Sequence, residues 1–190
     1  GQSEVITWSS PDGQQVEGGD EVFSKSIVVA TGMTYREHPA AGVAALTGAG
    51  VYYGAAATEA QACKDARVMV GGGGNSAGQA AVYLSGVGRH VTMMVRGSGL
   101  KETMSRYLIR RIEDTPNITL LTHCRIVGME GTSRLERVTW RDGSGKETTA
   151  DVTHVFVMTG ADPNTAWLQD CVCLDERGYV KTGSDLDPDV

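Results

Sequence analysis

The residues with the clearest chemical purpose are Gly72, Gly73, Gly74, Asn75, Ser76 and Ala77, which follow the apolar run Val68-Met69-Val70. In the pattern Gly72-x-Gly74-x-x-Ala77 the first glycine takes a tight turn, and the second lets backbone approach a pyrophosphate. The alanine lets the next helix lie close to a sheet. The free N–H groups of that helix and the positive end of its dipole would face the anion. Alone, such a turn can be purely structural; a strand before it, a helix after it and two further elements beyond point to dinucleotide binding.

The residue ending the second strand bears on which dinucleotide, because an acid there would bond the 2′-hydroxyl of NAD and repel a 2′-phosphate. Arg96 stands at that place, and Lys101 follows at the expected start of the next helix. Charge-assisted bonds from the two predict NADPH over NADH, with NADH still open. Both residues also fit plain solvated surface charges. No Ser, His and Asp set and no paired carboxylates suggest a catalytic residue, and none is named. His38, His90, His123 and His154 are scattered and read as core or surface histidines. Cys63, Cys124, Cys171 and Cys173 have neither zinc spacing nor a Cys-x-x-Cys pattern, so no metal is predicted. All four read as buried structural thiols, with Cys171 and Cys173 on one face of a strand.

These residues need elements to hold them. Residues 68–70 read as a strand, 76–88 as a helix with Ala77, Ala80, Ala81 and Leu84 towards a sheet, and 90–95 as a second strand. Met104, Leu108 and Ile112 set a helix over 101–113, and Ile118-Thr119-Leu120-Leu121 gives a third strand. That is βαβαβ, the mononucleotide-binding half of a doubly wound α/β fold. The hydrophobic period then falls to two around Val138 and Trp140, before an Asp142-Gly143-Ser144-Gly145 turn. Two or three antiparallel strands of a β-meander are expected, the last at 154–160. Upstream, 4–9 and 25–30 read as extended segments around a Pro11-Asp12-Gly13 turn, 38–50 as a flexible connector, and 55–64 as a helix.

Composition bounds the partners. A chain of 190 residues, 41% hydrophobic and 21% charged, fits one folded domain, or one with pieces of another. A net charge of −6 argues against nucleic acid. The absence of a long apolar run or a charged-then-apolar leader predicts a cytoplasmic protein with no membrane partner.

With those residues in view, the chain resembles the low-molecular-weight thioredoxin reductases of the pyridine nucleotide-disulfide oxidoreductase family, flavoproteins in which an NADPH domain is inserted into an FAD domain. Residues 27–36 (IVVATGMTYR) resemble the strand and turn leaving the first FAD segment, and 72–77 (GGGNSA) the NADPH fingerprint. Residues 156–165 (FVMTGADPNT) and 174–180 (LDERGYV) resemble the return into the FAD domain. The resemblance implies FAD-domain remnants at 1–45 and 156–190, with incomplete strands, flanking an NAD(P)H-binding Rossmann domain at 46–155. It places Gly72, Gly73, Gly74, Asn75, Ser76 and Ala77 around the pyrophosphate, and Arg96 and Lys101 on the 2′-phosphate.

Two departures qualify it. The family's His-Arg-Arg reads Val95-Arg96-Gly97, and its redox Cys-Ala-Thr-Cys reads Gly54-Ala55-Ala56-Ala57. Without the two sulfurs no dithiol relay operates at that place. The family's FAD-binding motifs are also not found, so FAD is expected in a full-length parent and not on this chain alone. Expected partners are the pyridine nucleotide, the missing FAD-domain segments and an unknown electron acceptor; a homodimer stays open. The implied function is to present the nicotinamide for hydride transfer to FAD in a thioredoxin reductase-like flavin oxidoreductase, with an acceptor reduced directly by flavin as one variant. The alternative is a non-catalytic NAD(P)H-binding or redox-sensing module.

Overall fold

The computed structural model describes residues 28–55, 57–169 and 171–186. In chain order they form β1 (Met33–Tyr35), α1 (Val43–Leu46), β2 (Val51–Tyr53), α2 (Ala57–Ala62), β3 (Arg67–Gly71), α3 (Asn75–Ser85) and β4 (His90–Met94). Then come α4 (Arg106–Glu113), β5 (Ile118–Leu121), β6 (Arg125–Glu130), β7 (Arg137–Arg141), β8 (Glu147–Asp151), β9 (His154–Val157) and β10 (Ala161–Pro163). The chain divides into two units, one of residues 28–35 with 161–186, the other Arg36–Gly160. In the smaller unit β1 pairs antiparallel with β10, and Thr31 and Asn164 exchange side-chain bonds to each other's carbonyls.

The larger unit is an α/β fold built on a five-stranded sheet of order β2-β9-β3-β4-β5, parallel throughout. Alternation along each strand feeds two cores. Val68 and Val70 of β3, Val91 and Met93 of β4 and Phe156 of β9 pack with Ala77, Ala81 and Leu84 of α3 and Leu108 of α4. Met69, Met94, Val155 and Val157 point the other way, against Ile126, Val138 and Leu135 of the antiparallel meander β6-β7-β8. A sheet covered on both faces explains why these strands read as unbroken apolar runs. Helix α3 sits close to the segment that leads into α4, because its contact face there is small: a Cβ on Gly78 would lie 2.7 Å from the Met104 sulfur.

Several sequence expectations need correction. The run at 154–160 is not the last strand of the meander. It becomes β9, a central strand of the parallel sheet between β2 and β3, and it reads ambiguously because burial on both faces erases the alternation. Strand β2 lies outside the elements expected from the sequence. The stretch 38–50 is no loose connector: Val43 and Leu46 are buried in the second core, and Ala41 bridges to Gly128. Gly42 (φ +83°) and Gly50 (φ +113°) are required there, since a Cβ would strike Met129 backbone or Leu135. The larger compact unit runs from Arg36 to Gly160. Val28, Val29 and Ala30 have no regular structure, while residues 4–9, the Pro11-Asp12-Gly13 turn and 25–27 lie outside the described residues.

Phe156 is fully buried at the centre of the sheet. Phe156→Ala is expected to destabilise the protein by about 3–5 kcal/mol, read as a lower urea midpoint with little change in slope.

Candidate nucleotide site

The parallel register brings four strand ends level, with Gly71 opposite Met94 on one side and Val157 on the other, and Tyr53 opposite Val157. The carboxyl edge of such a sheet is where ligands bind in open α/β folds. Gly71 and Gly72 are held there from both sides: the Met158 N–H donates to the Gly71 carbonyl at 2.8 Å, and the Gly72 N–H donates to the Met94 carbonyl at 3.0 Å. Gly72 has φ +151°, and a Cβ on it would stand 2.5 Å from the Met158 carbonyl oxygen. No other residue fits this turn.

Gly74 is the N-cap of α3, and the first intrahelical bond runs from the Gly78 N–H to the Gly74 carbonyl. The N–H groups of Asn75, Ser76 and Ala77 therefore have no helical acceptor. Asn75 and Ser76 are exposed, while Ala77 is buried under the sheet. No side chain caps the helix. This arrangement fits a pyrophosphate: backbone donors at a positive helix end, with no Cβ on Gly73 or Gly74 in the way. The Gly72 N–H is already engaged by the sheet and is not among the donors.

The loop after β4 clasps the turn. Thr103 Oγ1 donates to the Gly73 carbonyl at 2.7 Å, and the Ser105 N–H donates to Asn75 Oδ1 at 2.8 Å. The Asn75 side chain thus braces the loop. Sequence reasoning missed both Thr103 and Ser105, which carry no signal beyond being hydroxyl residues in a loop.

Arg96 lies two residues beyond the end of β4, exposed, with no ion pair among the described residues. Its charge reaches His38: burial first, and the Arg96 guanidinium second, hold the His38 imidazole below its ordinary value. His38 is fixed by its backbone N–H donating to the Tyr53 hydroxyl and by its ring Nδ1 accepting the Ala40 backbone N–H. Lys101 is not at a helix start, because α4 begins at Arg106 with Ser105 as its N-cap. It lines a depression of about 470 Å³ with Glu102, Ile109, Glu113 and Leu120, bordered by neither Arg96 nor residues 72–77. Arg96 thus follows the strand whose last residue, Met94, pairs with Gly71, while Lys101 lies among carboxylates.

Gly54 and Ala55 follow β2, and Ala57 opens α2. Behind them Cys63 is buried, donates to the Glu59 carbonyl at 3.1 Å, and is pushed up to about 11 by burial and then by the Glu59 charge. Cys124 is also buried, and burial raises its thiol as well. Cys171 and Cys173 depart from expectation. They lie on an irregular stretch after the Ala166–Leu168 turn, Cys171 exposed and Cys173 half-buried, because no strand forms there. Among the described residues no cluster of His, Cys, Asp and Glu is placed to hold a metal, and no helix is long and apolar enough to cross a membrane.

Gly72→Ala is expected to lower stability by about 1–3 kcal/mol through backbone strain. Gly74→Ala, whose added Cβ meets nothing closer than 4.0 Å, should unfold close to the parent temperature in the same calorimetric scan. Iodoacetamide at about pH 8 should label Cys171 readily in the native protein, while Cys63, still protonated there, reacts only after unfolding; mass spectrometry of the alkylated peptides reads the difference.

Comparison with known proteins agrees with this geometry. The profile of the Pyridine nucleotide-disulphide oxidoreductase family matches residues 3–190. The thioredoxin reductase of Mycolicibacterium smegmatis is 34% identical over 179 residues, covering 90% of this chain and 57% of that protein. A component of the alkyl hydroperoxide reductase of Staphylococcus aureus (strain MRSA252) is 31% identical, covering 87% of this chain and 32% of its own length. Among solved structures, Lactococcus lactis thioredoxin reductase in its FR conformation superposes with a TM-score of 0.73 at 26% identity, over 88% of this chain and 55% of that one. The T. acidophilum enzyme gives a TM-score of 0.70 at 27% identity, over 80% and 50%. The chain thus spans from about a third to somewhat over half of the proteins it matches. With its glycine turn, parallel sheet and meander all in place, the chain belongs to the Pyridine nucleotide-disulphide oxidoreductase family.

Proposed function

We propose that the Arg36–Gly160 unit binds NADPH and presents its nicotinamide to a flavin in a thioredoxin reductase-like oxidoreductase of which this chain is the middle part. The observation that carries this reading is the glycine turn locked between β4 and β9, opening onto the free N–H groups of α3, with Arg96 two residues beyond the Met94 that pairs with Gly71. Gly72, Gly73 and Gly74 would bring backbone to the pyrophosphate, the N–H groups of Asn75, Ser76 and Ala77 would hold it, and Arg96 would pair with the 2′-phosphate. NADPH would supply a hydride; this chain's residues position and select it without a catalytic acid or base. Lys101 has less support in this role, since Glu102 and Glu113 share its depression. FAD would be held by segments outside this chain, and residues 28–35 and 161–186 would be parts of that flavin domain. A cytoplasmic location belongs to the same proposal.

The relatives' names, thioredoxin reductase and alkyl hydroperoxide reductase, suggest electron delivery to a disulfide or a peroxide-reducing partner. Gly54-Ala55-Ala56-Ala57 in place of a dithiol favours a second reading, in which the nucleotide is bound but electrons leave by another route or not at all, as in a redox sensor. Flavin-dependent NADPH turnover by the full-length parent separates enzyme from sensor.

Titration calorimetry of this chain with NADPH and NADH tests the binding itself. NADPH is expected to bind more tightly, and Arg96→Ala to weaken it by about tenfold or more while leaving NADH nearly unchanged. Equal loss for both nucleotides, or no binding of either, would overturn the assignment.

A further inference from the structure

The opposite edge of the parallel sheet carries a second cavity, about 430 Å³ in volume. It arises from register. Arg67 stands beside His90, Met69 beside Thr92, and Thr92 beside Thr119, so these side chains share one face of three adjacent strands, with Leu121. That face is the one on which the meander packs, with Met69 and Met94 in the shared core. At the amino edge the cavity is left between the strands and the wall formed by Trp140, Ala150 and Val152.

The lining is rich in donors. The side chains of Arg67 and Arg89 have no ion pair or hydrogen bond among the described residues, and neither do the Trp140 indole N–H or the hydroxyls of Thr92 and Thr119. No buried polar side-chain atom lacks a partner among the described residues, so these donors open to solvent. The one carboxylate in the lining, Asp151, sits directly opposite Arg137 on β7, whose guanidinium feels its charge. Two guanidiniums against one carboxylate leave a single net positive charge. Beneath them lie Met69, Leu121 and Val152, with the indole of Trp140 as an aromatic flank. Charged forks at the rim, hydroxyls between them and an apolar floor match a flat ring bearing one carboxylate, which guanidinium groups grip in two-pronged fashion.

We infer that this chain has a binding site for a small aromatic carboxylate at the amino edge of its parallel sheet, held by Arg67 and Arg89 with the ring against Trp140. Arg67 opens β3 and the glycine turn ends it, so the two sites lie roughly 13 Å apart along one strand. Both can be filled at once.

The test is titration of the full, ¹⁵N-labelled chain with 2-naphthoate, with uncharged 2-naphthalenemethanol and with inorganic phosphate, followed at the Trp140 indole N–H. The naphthoate is expected to shift that signal and bind at least tenfold more tightly than the alcohol, and phosphate at equal concentration should not displace it. Arg67→Gln and Arg89→Gln, both at exposed positions, should each keep the parent amide spectrum and weaken naphthoate alone, the double variant binding acid and alcohol equally with NADPH affinity unchanged. A Trp140 signal that does not move, equal binding of the alcohol by the parent, displacement by phosphate, or full naphthoate affinity in the double variant would each overturn the inference.

Discussion

The backbone of Gly71 and Gly72 is gripped from both flanks, and the rest of the larger unit is arranged around that grip. One glycine accepts from Met158 and the other donates to Met94, so the turn is pinned at the level where three parallel strands end. The approach is too close for a side chain, and the backbone angle at Gly72 is one that other residues resist. Fixing the turn fixes the start of α3, and fixing the helix start aims its unpaired N–H groups along the sheet edge. The loop carrying Thr103 and Ser105 then ties to the same turn, which holds the segment after Arg96 in place.

The sheet can do this because each face has its own cover. Helices α3 and α4 take one side and the meander takes the other, so each central strand sends alternate residues into different cores. From β3 the chain moves outward through β4 to β5, while β9 and β2 lie on the opposite flank. The turn after β3 thus falls where the strand order changes direction, the place at which doubly wound sheets leave a crevice.

How much of this was legible depended on how local the signal was. The run from β3 to β5 could be read because Val68-Met69-Val70, the small residues of α3 and the spacing of Met104, Leu108 and Ile112 each speak within a few residues. The glycine turn was legible for the same reason, and the meander through its period of two. Strand β9 was not, since His154-Val155-Phe156-Val157 looks alike whether it ends a meander or enters a parallel sheet, and only pairing with Val68 and Val51 decides. The stretch around Gly42 and Gly50 reads as flexible from composition, yet the same glycines are demanded by close packing. The place of Lys101 depended on where a helix begins, and Ser105, not the hydrophobic spacing, sets that boundary. The exposure of Cys171 was illegible because it depends on a strand not forming.

The position of β9 has a consequence for synthesis. Among the described residues β2 has β9 as its only partner in the sheet, and β9 is made after the whole meander has been translated. Until then β2 has no strand to pair with, and the flank of β3 that β9 will cover presents bare N–H and carbonyl groups. Such a gap in a nascent sheet is a template for wrong partners, and long-range parallel pairing closes slowly. The ribosome therefore releases this fold with its central seam last, which makes the interval before residues 154–157 emerge the period in which a chaperone has most to protect.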